Sequence, residues 1–151
     1  MRRPSAPLPV TLLLASLLGL TWGTASICAL GLGAGPILAV TDAWWSWAAV
    51  LAASAMLSRR LLANLLAVPV CGAWAIGSYY LLKAAWSVGY PSRSDGFWDH
   101  LEAAPWAPWM VPVLVAAVPA ALVGTAIRRA TARLRVTPAA SRAVSPQAGG
   151  R

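Results

Sequence analysis

The sequence predicts an all-α, polytopic membrane protein with four transmembrane helices and both termini cytoplasmic. Three observations carry that reading. The chain is 59% hydrophobic and 11% charged, with a mean hydropathy of +0.66, whereas a soluble domain carries about a quarter charged residues. Its apolar residues gather into four blocks, at 10–32, 41–57, 61–82 and 108–127, each near the length of roughly 20 residues that a helix needs to cross hydrocarbon. Ten of the twelve Lys and Arg residues fall on one side of those blocks, among them Arg2, Arg3, Arg59, Arg60, Arg128, Arg129, Arg133 and Arg135. The other side holds Lys83 and Arg93 with all four acids, Asp42, Asp95, Asp99 and Glu102. Basic residues are retained in the cytoplasm during insertion, which sets the orientation. The 151 residues then divide into a cytoplasmic N-terminus (1–9), a membrane domain (10–127) with an outer loop at 83–107, and a basic, disordered cytoplasmic tail (128–151).

A net charge of +8 and a pI of about 11.1 would suggest nucleic acid in a soluble protein. Here the arginines sit at helix ends, where they orient the chain and meet anionic lipid headgroups, so no nucleic-acid partner is expected. Arg in place of Lys, with abundant Ala, Gly and Pro, fits a GC-rich bacterial genome and hence a bacterial plasma membrane. Cys28 and Cys71 lie at depths that differ by about 10 Å at 1.5 Å per residue, too far apart to bridge. The first apolar run, about 23 residues, exceeds the roughly 7 to 15 of a signal-peptide core, so an uncleaved first helix is expected.

Each span has its own signature. The first carries Gly19 and Gly23 with Ala15 one turn earlier, a small-residue groove that lets another backbone approach closely. The occupant is a helix of the same chain or a second subunit; Ala116, Ala120 and Gly124 form a matching stripe on the fourth helix and make it the candidate. Gly31, Gly33, Gly35 and Pro36 end the first helix. Thr41 then reads as the N-cap of the second span, with Asp42 in its first turn and Trp44, Trp45 and Trp47 at the headgroup level. Ser58, Arg59 and Arg60 make a tight turn, so the second and third spans are antiparallel neighbours. Pro69 should kink the third helix or leave a carbonyl without its partner, and Asn64 is placed for an interhelical hydrogen bond. In the outer loop, Ser94 or Asp95 caps a short helix whose Phe97, Trp98 and Leu101 share a face. Pro108, Pro112 and Pro119 bend the fourth span.

Chemistry inside a membrane ordinarily requires ionisable groups facing the bundle interior, and every charge here is terminal or in a loop. No catalytic, cofactor-binding or metal-binding residue is therefore expected. His100 with Asp95, Asp99 and Glu102 lacks the paired spacing of a ligand set and reads as a solvated acidic loop. Trp22 and Trp74 lie far from both interfaces; they pack in the core or line a small polar pocket, since a buried indole N–H wants an acceptor.

Residues 47–52, the Arg59–Arg60 turn and the Gly77-Ser78-Tyr79-Tyr80 close of the third helix resemble uncharacterised actinobacterial four-helix membrane proteins, as does the glycine-rich first span. The resemblance implies a fold and no mechanism. The expectation is a non-enzymatic structural or interaction component whose partners are the lipid bilayer and another membrane protein or a second copy of itself. The alternative is a small transporter or channel with an uncharged polar path near Trp22, Trp74 and Asn64.

Overall fold

The computed structural model describes residues 6–88 and 96–134, and the described chain is all-helical: α1 (Leu8–Gly31), α2 (Gly35–Thr41), α3 (Trp44–Ser54), α4 (Leu61–Trp86), α5 (Phe97–Glu102) and α6 (Trp106–Leu134). Leu8–Gly31, Leu61–Trp86 and Phe97–Leu134 are each long and apolar enough to cross a membrane, and the bent pair α2–α3 brings the number to four if it counts as one span. Leu13, Leu17, Leu62, Val115 and Val123 point outward, while much of the interior is alanine, at 15, 55, 67, 75, 117 and 121, with Ile27, Val68 and Ile76 as its larger members. An interior so rich in small residues is the pattern of helices that associate by close van der Waals packing.

The first helix ends by an identifiable device. Gly33 takes a positive φ of 61°, and the N–H groups of Gly33 and Ala34 donate back to the carbonyls of Leu30 (3.3 Å) and Ala29 (3.1 Å). This is a Schellman close, which satisfies the carbonyls that a helix end leaves open. The next segment departs from the sequence expectation. Gly35 and Pro36 start a new helix, because proline in a first turn loses no hydrogen bond and its φ is already helical. Thr41 is therefore the last residue of α2, not an N-cap, and Asp42 is the C-cap of α2, not a residue of a first turn. The expected span at 41–57 is instead a pair of helices bent by 58°.

The bent pair nonetheless carries the chain from one end of the bundle to the other. Gly19 lies against Cys71, and Gly23 against Ala75. The two numbers rise together, so α1 and α4 run parallel, and the chain must return between them. It does so through α2, α3 and the turn that contains Arg59 and Arg60. Against α4, by contrast, α6 runs antiparallel: Gly72 meets Val113, and Asn64 bonds Thr125. One end of the bundle thus gathers Arg59, Arg60, Arg128 and Arg129, with the Arg129 guanidinium Nε donating to the Arg59 carbonyl at 3.4 Å. The opposite end holds most of the aromatic rings.

Three further departures concern the edges. The α1 groove receives α4, not α6, and α1 does not touch α6. Glycine at 19 and 23 lets the α1 backbone rest on the Cys71 and Ala75 carbonyls, where a Cβ would collide. The last helix begins at Trp106 and continues beyond 127 through Arg128, Arg129 and Arg133 to Leu134, so the first seven residues assigned to a disordered tail are helical. Arg, Ala and Leu favour helix, and cations suit its C-terminal end. It runs unbroken through Pro112 and Pro119, as α4 does through Pro69. Ser94 and Asp95, expected as caps, lie outside the described residues, as does the tail from 135; α5 has Gly96 at its N-cap, whose N–H donates to the Asp99 carboxylate at 2.9 Å.

Candidate functional site

The helices α1 to α4 and α6 frame a cavity of about 460 Å³ in the aromatic half of the bundle, within the range of ordinary small-molecule pockets. Its floor is the place where α3 and α6 come together: Gly124 lets the α6 backbone seat against the Ala55 carbonyl, and Ala55, Val68 and Ala117 pack as one cluster. Toward the aromatic end the same two helices leave room between them. Ala48, Leu51 and Ala52 of α3 face Val113, Ala116 and Ala120 of α6 across that space, and Ile76, Tyr79 and Tyr80 of α4 close its back. The small side chains at 48, 52, 116 and 120 create the volume; larger ones would fill it.

The aromatic wall is continuous. Trp47 stands edge-on to Tyr79 (6.2 Å between centroids), Tyr79 edge-on to Tyr80 (5.1 Å), and Tyr80 tilts against Trp106 (5.3 Å). Such pairs contribute roughly 0.5–1.5 kcal/mol each beyond burial. Lys83 places its ammonium 5.9 Å from the Tyr79 ring centroid. Two indoles also hold the local backbone: Trp47 Nε1 donates to the Thr41 carbonyl at 2.7 Å, across the α2–α3 bend, and Trp106 Nε1 donates to the Leu101 carbonyl at 3.0 Å, tying α6 to α5. The rim carries one charged lining residue, Asp42, exposed at the bend. Among the described residues none hydrogen-bonds or ion-pairs with its carboxylate.

The residues expected to line a polar path do not come together. Asn64 is fully buried and uses its amide for structure: Oδ1 accepts from the Ser58 N–H at 3.0 Å, and Nδ2 donates to the Ser58 carbonyl at 2.9 Å and to Thr125 Oγ1 at 2.8 Å. The interhelical role expected for Asn64 is thus present, joined to a second one of holding the turn. Trp74 is half exposed on the surface of α4, beside Leu20 and Gly77 in a shallow groove separate from the cavity. Trp22 keeps its Nε1 buried with no hydrogen-bond partner and lines neither space. His100, expected in a solvated loop, is buried, because α5 folds against α4. Among the described residues no three His, Cys, Asp or Glu side chains are placed to hold a metal ion. Both cysteines are free thiols, Cys71 fully buried.

The cavity itself escaped the sequence reading, although two signals bear on it. Ala48 and Ala52 repeat at one helical turn, as do Ala116 and Ala120; the second pair reads as a packing stripe, yet the stripe packs only at its lower end, where Ala120 meets the Ala55–Val68–Ala117 cluster and Gly124 the Ala55 carbonyl, while Ala116 and Ala120 also line the cavity. Comparison of the chain with protein-family models, curated proteins and solved structures gives no match.

Proposed function

We propose that this is a non-enzymatic, multi-pass component of a bacterial plasma membrane that acts by interaction, receiving a hydrophobic partner molecule in the cavity between α3 and α6. In this reading the arginine end is cytoplasmic, both termini lie there, and its guanidinium groups meet anionic headgroups. The resemblance to uncharacterised actinobacterial four-helix membrane proteins adds no activity to this reading.

The observation that carries the proposal is the floor of the cavity. Glycine-mediated backbone contact joins α3 to α6 at Gly124 and α1 to α4 at Gly19 and Gly23, and Asn64 ties the arginine end together. A cavity blind on that side suits retention, whereas conduction needs a path that leaves as well as enters. A small transporter is the second reading. One observation favours it, the 58° break between α2 and α3, since discontinuous helices line the binding sites of many transporters.

Flux through proteoliposomes separates the two. Glycerol entry into vesicles bearing the protein, followed by stopped-flow light scattering, should match that of empty vesicles. Entry that rises with protein content, and falls when Ala116→Phe fills the cavity, would replace the interaction reading with the transport one.

A further inference from the structure

We infer that the cavity holds one acyl chain of a phospholipid whose headgroup carries an ammonium, with that ammonium against Asp42. The inference rests on the interaction reading above and names its partner. Shape comes first. The α6 wall runs from Trp109 to Ala120, eleven residue steps that span about 16 Å at 1.5 Å each. The α3 wall runs from Trp44 to Ala52, or about 12 Å by the same rise. The space therefore extends along the two helices, over a length that a stretch of hydrocarbon chain can occupy; we refer to it as a slot.

Position and charge identify the head. The slot is apolar along its length and changes character at one end, where Asp42 and the indoles of Trp44 and Trp109 form the rim. Exposed Trp44, Trp45, Trp98 and Trp109 mark that end as the headgroup level, where indoles concentrate. A chain bound in the slot puts its headgroup beside a carboxylate that no described residue neutralises. A phosphatidylethanolamine-type head offers an ammonium to Asp42, and the Lys83 ammonium stands at the same end, over the Tyr79 ring that contributes to the slot wall. A purely anionic head would meet repulsion from Asp42. Anionic lipid belongs instead at the arginine end.

The full chain, purified in a neutral detergent, is equilibrated with an equimolar mixture of dioleoyl phosphatidylethanolamine and dioleoyl phosphatidylglycerol. Retained lipid is then counted by native mass spectrometry. Wild type should retain one phosphatidylethanolamine. Asp42→Asn should lower that retention about fivefold or more, the effect of losing one charge contact, and leave phosphatidylglycerol unchanged. Ala116→Phe should abolish phosphatidylethanolamine retention and spare phosphatidylglycerol; Ala48→Phe, from the opposite wall, should do the same and decides the matter if the first variant does not fold. Undiminished phosphatidylethanolamine in Asp42→Asn, or loss of phosphatidylglycerol on filling the slot, would overturn the headgroup assignment while the cavity reading stands. Wild-type retention in a folded slot-filled variant would overturn both.

Discussion

A leucine at position 23 has no space for its side chain. The first atom beyond Cα already meets the Ala75 carbonyl and the Ser78 hydroxyl of α4, so Gly23→Leu must push apart helices that touch through their backbones. We predict a loss of about 3 kcal/mol, at the upper end of overpacking costs, read as an earlier thermal melt in detergent. Leu17→Ala, on the exposed side of α1, should change little; equal effects would show that the groove is not a packing surface. Asn64→Leu removes three hydrogen bonds and strands the buried Ser58 backbone, which should cost about 1–3 kcal/mol. Thr125→Val breaks only one of them and should fall near 0.6–1.7 kcal/mol. Melts of the two variants that coincide would refute the dual role of Asn64. Ser87 ends α4 with a φ of 50°, a region that costs an L residue about 1–2 kcal/mol. Ser87→Gly should therefore raise the melting temperature, and no rise would mean that the end of α4 is not held in that conformation. At this scale the sequence is legible where spacing alone suffices. Gly19 and Gly23 announce a close approach, and Asn64 an interhelical bond, but neither signal says which helix answers.

Between α1 and α3 the chain does something that residue types do not predict. Gly-Leu-Gly-Ala-Gly-Pro reads as an ending, and it is one, yet Pro36 also serves the first turn of α2. The competing cues at Thr41 and Asp42 resolve only when Trp47 reaches back to the Thr41 carbonyl, a contact six residues away that periodicity does not reveal. The cavity was hidden for the same reason. Alanines at 48, 52, 116 and 120 look alike whether they pack or leave space, and the choice depends on how far α3 and α6 stand apart. We predict that Trp47→Phe keeps the helices but loosens the bend. Spin labels at exposed Ile37 and Ala49 should report a broader distance distribution in that variant, at a cost of about 1 kcal/mol for the lost bond. An unchanged distribution would assign the bend to the backbone alone.

For the whole molecule, charge and geometry agree on one axis. Parallel packing of α1 on α4, from Gly19 on Cys71 to Gly23 on Ala75, obliges the broken pair to traverse the bundle. That traverse puts Arg59 beside Arg129, so arginines separated in sequence share an end of the structure. The orientation proposed above turns that end inward, with four crossings where the bent pair counts as one span. The decisive measurement is thiol labelling in intact cells by a membrane-impermeant reagent, in a chain with Cys28 and Cys71 replaced. Exposed positions at the two ends serve as reporters, Ala103→Cys at the aromatic end and Thr131→Cys on the last turns of α6; Ser58 is unsuitable because it is buried. With the arginine end inside, Ala103→Cys should label at once, and Thr131→Cys only after the cells are permeabilised. Labelling of Thr131→Cys in intact cells would contradict it.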